Sequence, residues 1–587
     1  MFKLLKNINK KEWGLIFICF ALIIGQVWLE LKMPDYMSEI TVLVQSEGSE
    51  MKDILINGGY MLACALGSLI SAVITGYLIS NISARFSMNV RKKLFTKVEA
   101  LAMQEVKKFS TSSLITRTTN DITQVQMLIS MGLQLLIKAP ITAIWAITKI
   151  LNKSIEWSII TAIAVAILLT TIGILMVIVL PKFKIVQKLT DKLNGVTREN
   201  LTGIRVVRAF IAEKYQEDKF EEANANLTNQ QLFIQKAFAI LSPVMYLVMY
   251  FLTLAIYFVG ASLIKDAMLA DKLTLFGDMI VFSSYAMQVI MSFLMLAMIF
   301  MMFPRASVSE ARINEVLDTK ISIEDGTISK DITAERGTVE FKNVSFKYPD
   351  AKEYLLRNIS FKAEQGQTVA FIGSTGSGKS TLINLIPRFY DATEGTVLVD
   401  GVDVKEYTGE FLHNKIGYIP QKAVMFNGTV SSNVTYGDNG KEELTEAQIK
   451  KAIEVAQGKE FVEKMDDQYN THIASGGTNV SGGQKQRLAI ARAIARDPEI
   501  YIFDDSFSAL DYKTDAALRK ALKKHTKNAT NIIVAQRIGT IMNADKIIVL
   551  DNGNCVGMGT HQELLKKCKI YKQIALSQLS KEELANE

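Results

Sequence analysis

Gly373-Ser374-Thr375-Gly376-Ser377-Gly378-Lys379-Ser380 is the stretch on which the reading of this chain turns. It follows an apolar run, residues 367–372, that predicts a buried strand, and it leads into an apolar helix from Thr381. Strand, glycine-rich turn and helix in that order make a complete phosphate-binding loop. The glycines let backbone N–H groups wrap phosphate oxygens at a helix N-terminus. Lys379 is suited to neutralise the β and γ phosphates, and Ser380 to ligate Mg²⁺.

Downstream, Glu499-Ile500-Tyr501-Ile502-Phe503 predicts a second strand, ending in Asp504-Asp505. A carboxylate at such a strand end can hold Mg²⁺. Between the two, Val480-Ser481-Gly482-Gly483-Gln484-Lys485-Gln486-Arg487 opens a helix of good formers reaching Arg496. From Gly337 onward strand-like and helix-like stretches alternate, which predicts an α/β domain.

Upstream the chemistry changes. The 587 residues are 49% hydrophobic and only 21% charged, and up to about residue 305 the apolar residues lie in runs too long for a soluble helix. This excludes a disordered, fibrous or wholly soluble protein. A bilayer core takes about 20 apolar helical residues, and six segments qualify: 13–31, 54–84, 127–151, 157–181, 237–264 and 279–303. Four carry no charge; the first has Glu30 at its far end, and the third has Lys138 and Lys149, expected to snorkel toward its ends. The run after Lys10 and Lys11 is too long for a cleavable signal. Lys3, Lys6, Lys10 and Lys11 predict a cytoplasmic N-terminus, and six crossings return the chain to the cytoplasm at Arg305. The net charge of +7 belongs to long basic cytoplasmic connections, about 85–126 and 182–236. Scattered basic residues give no support to a nucleic-acid partner. Cys19, Cys64, Cys555 and Cys568 lack disulfide or zinc spacing and read as packing residues. The four histidines, His413, His472, His525 and His561, lack ligand spacing.

The phosphate loop, Gln421 after a strand, the Ser-Gly-Gly-Gln signature, Asp504 and Ser508-Ala509-Leu510-Asp511 together resemble the nucleotide-binding domain of ABC transporters. Six preceding spans resemble the half-transporter exporters of that family. The resemblance implies a membrane α-helical bundle followed by an α/β P-loop nucleotide-binding domain: residues 1–305 the membrane domain, 306–336 a linker, 337–580 the nucleotide-binding domain and 581–587 a tail. It implies ATP and Mg²⁺ as cofactors, with Ser380, Gln421 and Asp504 on the metal. Tyr348 would stack on adenine, and Thr381 would complete the ATP-binding set. Ser481, Gly482, Gly483 and Gln484 would contact the γ phosphate of a nucleotide held by a second half, with Asp511 across the same head-to-tail interface. Segments near 105–121 and 206–220 would contain coupling helices that dock on nucleotide-binding domains.

Two positions depart from the family pattern. Asp505 stands where the family places the Glu that activates water, and Gln536 where it places a histidine. Asp keeps the charge but withdraws its oxygens, and Gln can hydrogen-bond yet cannot become charged. With the signature intact, the chain resembles the degenerate-site half of bacterial heterodimeric multidrug exporters. The expected partner is a second half bearing the consensus Glu and His.

Met287, Met291, Met295, Met298 and Met302 fall on one helical face of the sixth span. Soft side chains of this kind suit varied apolar ligands, and the near absence of charge in the spans favours hydrophobic or amphipathic compounds, cationic ones among them, over inorganic ions or sugars, with membrane lipids as the surrounding partners. Peptide export and lipid flipping fit the same architecture. An ATP-gated channel or regulator would favour a long regulatory insert, which the sequence lacks. A soluble ABC-type ATPase conflicts with the six spans.

Overall fold

The computed structural model describes residues 2–6, 8–46, 49–151, 155–268 and 271–578, without the side chains of residues 2, 5, 300 and 301. The expected tail, 581–587, lies outside the described residues. Two compact units emerge: Met1–Ala100 with Phe109–Thr319, and Leu101–Lys108 with Lys320–Glu587.

Among the described residues, the first unit contains six helices long and apolar enough to cross a membrane: Lys10–Gln45, Met51–Glu99, Thr111–Leu151, Ile155–Thr202, Glu213–Asp266 and Lys272–Leu317. Several exceed twice the length a bilayer requires, so the helices must continue well beyond it. The sixth runs to Leu317, so residues 306–317, expected in the linker, are helical. Ile23, Trp157, Leu252, Phe282 and Tyr285 pack in the interior. Val177 and Phe258 are 76% and 78% exposed, as suits side chains whose solvent is lipid rather than water.

The charges within the spans do not simply snorkel. Lys138 donates to Glu30 at 2.8 Å, and the same carboxylate oxygen accepts from Gln26 at 2.9 Å and Ser68 at 3.1 Å. Lys149 reaches Asp35 at 2.7 Å, whose other oxygen accepts from the Tyr285 hydroxyl at 2.6 Å. The first helix is thereby tied to the second, third and sixth. Apolar periodicity cannot reveal such pairing, because the partners lie far apart in sequence.

In the second unit, the main sheet has the order Asn554–Gly559, Lys546–Asp551, Thr368–Gly373, Thr530–Val534, Ile500–Asp504, Ile416–Ile419. All its pairings are parallel except the first. A four-stranded antiparallel sheet, ordered Leu356–Ala363, Val339–Phe346, Glu394–Val399, Val402–Asp403, shares a core with it through Phe341, Phe371, Leu382 and Ile502. Burial on both faces explains the continuous apolar run Ile500-Tyr501-Ile502-Phe503.

Removing one member of a buried ion pair strands its partner. Glu30→Gln is therefore expected to destabilise the protein by up to about 3–5 kcal/mol, and Glu30→Gln with Lys138→Met to recover most of that loss. Thermal denaturation of the detergent-solubilised protein tests this; equal melting temperatures for the single and double variants would contradict it.

Candidate functional site

The phosphate loop leaves the strand at Gly373 and enters the helix Lys379–Ile383. Gly376 and Gly378 have φ of 84° and 95°, conformations that a side chain would strain. The turn closes around Lys379, whose ammonium donates to the carbonyls of Gly373 and Ser374, both at 2.8 Å. Burial pushes the Lys379 pKa down, against the pull of Asp505 and Asp504.

Parallel register brings the remaining groups to the same edge. Val534 pairs with Asp504 on one side and with Phe371 on the other. Ser380 donates to Asp504 at 2.8 Å. One residue further, Asp505 adopts φ of 48°, and its Oδ2 accepts from Gln421 at 3.2 Å and Gln536 at 2.8 Å. The two departures read from the sequence are thus in direct contact. Burial raises the pKa of both carboxyls. Ser380, Asp504 and Gln421 supply the hard oxygen donors that Mg²⁺ prefers, and the buried carboxylates, with Lys379 as a nearby cation, suit a divalent ion. A bound Mg²⁺ would neutralise phosphate charge there.

Tyr348 is half-buried, its hydroxyl 2.9 Å from Thr381 Oγ1. Phe346 and Tyr390 meet its ring edge-to-face at 5.0 and 5.4 Å. Nothing in the sequence singles out Tyr390. Its position ten residues after Ser380 carries no motif spacing, and only the fold brings it to Tyr348.

Ser481 caps the helix Gly482–Ala495 through a reciprocal pair with Gln484, whose side chain accepts from the Ser481 N–H at 2.8 Å. A Cβ on Gly482 would meet nothing within 4 Å, while one on Gly483 would stand 3.3 Å from the Ala509 carbonyl. Ser508 donates to the Asp505 carbonyl at 2.9 Å, Leu510 is buried, and Asp511 caps the next helix by accepting from the Thr514 N–H at 2.9 Å. The segment 105–121 divides: Leu101–Lys108 cluster with the nucleotide-binding unit, whereas Asp121 is buried in the membrane unit, 3.0 Å from Ser309 and 3.5 Å from Arg312. None of Met287, Met291, Met295, Met298 and Met302 is buried. Among the described residues no hydrogen bond joins a histidine to the phosphate-loop site: His413 bonds the Pro387 carbonyl, His472 Asn427 and His561 Tyr571, while His525 Nε2 is buried without a partner.

Residues 15–293 match the model of the ABC transporter transmembrane region, and residues 356–508 that of the ABC transporter family. An uncharacterized ABC transporter ATP-binding protein of Mycobacterium tuberculosis is 40% identical over 521 residues, covering 89% of this chain and 87% of that protein. An ATP-dependent lipid A-core flippase of Pseudomonas aeruginosa is 32% identical over 493 residues, covering 83% and 79%. The structure of a bacterial Atm1-family ABC exporter with ATP bound superposes with a TM-score of 0.83 at 23% identity, over 97% of this chain and 100% of that one, which shows a shared fold.

Each carboxyl of the Asp504–Asp505 pair titrates higher folded than unfolded. Its stabilising contribution is full below the unfolded pKa, about 3.9, and is lost as pH rises through the raised folded value. Ionisation of either carboxyl therefore opposes folding. Asp504→Asn is expected to raise the melting temperature of the nucleotide-free protein by a few degrees at pH 7, about 2–4 °C per kcal/mol recovered, with the gain shrinking toward pH 5. Mg²⁺-dependent nucleotide binding should fall in the same variant. A gain that grew on acidification would contradict the assignment.

Proposed function

Because this chain belongs to the ABC transporter family, with the six-helix membrane domain and single ATP-binding domain of an exporter half-transporter, we propose that it forms one half of an asymmetric heterodimer. The pair exports hydrophobic or amphipathic compounds across the cytoplasmic membrane. The N-terminus and nucleotide-binding domain face the cytoplasm, and the partner carries the consensus Glu and His.

The observation that carries this reading is the Asp505 carboxylate, which accepts from both Gln421 and Gln536. Its oxygens are one methylene short of those of a Glu, and a misplacement of about 1 Å can cost about 10²-fold in rate. Gln536 donates a hydrogen bond but does not titrate. Lys379, Ser380, Gln421 and Asp504 bind Mg²⁺-ATP, and turnover at this site is slow.

The signature segment serves the partner's nucleotide. Gly482 is helical and a Cβ there has open space, so this chain's own packing does not demand a glycine. Close approach by a γ phosphate from outside the chain supplies the reason. Phe210 and Ile211, in the connection between the fourth and fifth long helices, are 78% and 87% exposed, and such apolar tips suit docking on a second half.

A second reading, lipid translocation, draws on a specific cavity as well as on the relatives named lipid A-core flippases. About 380 Å³ in volume, it is lined by Met127, Phe183, Phe238 and Met302, with Gln124, Gln235 and Arg305. Arg305, the charged residue of that wall, lies over Phe183 at 5.6 Å. Aromatic and thioether walls beside a guanidinium favour an amphiphile with an acidic group over a cationic one.

Purified without its partner, the chain is expected to bind ATP and hydrolyse it slowly, because a self-dimer contains two weak sites. Robust turnover from a verified homodimer would refute the asymmetric reading. Within the assembled pair, Asp505→Asn should change steady-state hydrolysis little. Gly482→Asp should be severe, since it sets a side chain and a negative charge against the γ phosphate at the fast site. ATPase rates of the heterodimer carrying each change decide; the reverse pattern would exchange the sites between the chains.

A further inference from the structure

Leu101–Lys108 lies in the connection between the second and third long apolar helices, yet clusters with the nucleotide-binding unit. Its helix, Met103–Lys108, is braced by Glu105, whose carboxylate accepts from the Ala102 N–H and the Gln104 side chain, both at 2.8 Å. From this braced helix Lys107 extends over two aromatic rings, its ammonium 5.0 Å from the centroid of Tyr348 and 5.3 Å from that of Tyr390. A hydrogen bond to Tyr390 holds the Lys107 pKa above the ordinary lysine range, so the group stays charged.

We propose that Lys107 is a positioning residue of the adenine site, through which a helix spliced between two membrane spans responds to the nucleotide base. This rests on the reading that Tyr348 stacks on adenine. The Tyr348 hydroxyl lies against Thr381, and its ring contacts Phe346 and Tyr390 edge-to-face. Lys107 adds a cation at the electron-rich face, an attraction of the kind that holds ammonium groups to aromatic rings. A ring fixed by all of these contacts loses little freedom when a base stacks on it, so binding is stronger than to a free ring. The triphosphate, held by the loop at Lys379, gains nothing from this ordering, so the contribution of Lys107 should depend on the base.

The test uses the full chain in lipid nanodiscs and titrates two ligands, the non-hydrolysable analogue AMP-PNP and inorganic tripolyphosphate. Lys107→Met keeps the aliphatic stem and removes the cation. It is expected to weaken AMP-PNP binding about 2- to 5-fold, the range of an exposed cation–π contact, and to leave tripolyphosphate binding unchanged. Lys107→Arg should restore most of the affinity, and Lys107→Met should have no further effect in a Tyr348→Ala background. Unchanged AMP-PNP binding, or equal weakening for both ligands, would reduce Lys107 to a strut between helix and domain. Tighter AMP-PNP binding would make it a competitor for the base, and either result overturns the proposal. If Tyr348→Ala alone left AMP-PNP affinity intact, the failure would lie with the adenine-stacking reading instead.

Discussion

Val534 lies between Phe371 and Asp504 in a parallel sheet, and that register makes the nucleotide site possible. Parallel strands deliver their carboxyl ends to one edge, so three segments, the first more than a hundred residues before the other two, end together. The first supplies the phosphate loop, the second Asp504 and Asp505, the third Gln536. A slip of one residue in any pairing would turn its alternating side chains to the opposite face and separate Ser380 from Asp504. Ile500 and Ile502 pack into one core and Tyr501 and Phe503 into another, so a slip would exchange branched side chains and aromatic rings between two differently shaped cores.

The site formed at this edge is electrostatically costly by itself. Lys379 turns back onto loop carbonyls, while two adjacent carboxyls are held above their ordinary pKa by burial. Such an arrangement suits a ligand that brings both negative phosphate and a divalent cation, since each neutralises a charge the fold leaves uncompensated. Folding stability is traded for preorganised binding, as is common where a site must act without rearranging.

The membrane unit meets a related constraint in another solvent. Glu30 with Lys138, and Asp35 with Lys149, place opposite charges on different helices. In hydrocarbon an unpaired charge is far more costly than in water, so the pairs restrict which helix faces can meet. Tyr285 completes this by bonding both Asp35 and the Leu31 carbonyl. Apolar packing around Trp157 and Phe282 supplies contact area, and the polar ties select one arrangement among several similarly apolar ones.

Local sequence alone determined the six apolar helices and the phosphate loop, because each depends on composition and spacing within one continuous segment. The ordered motifs also singled out Gln421, Asp505 and Gln536 as candidates, and Ser481 with Gln484 of the signature forms a helix cap, a relation confined to four residues. Other features were decided by the tertiary structure. That Gln421 and Gln536 share one oxygen of Asp505, that Lys138 meets Glu30, and that Lys107 stands over Tyr348 all join residues distant in the chain. Each contact extends over only a few ångströms, and no periodicity or motif spacing encodes it. Chain topology brings the partners within reach, and burial then makes each interaction strong enough to matter.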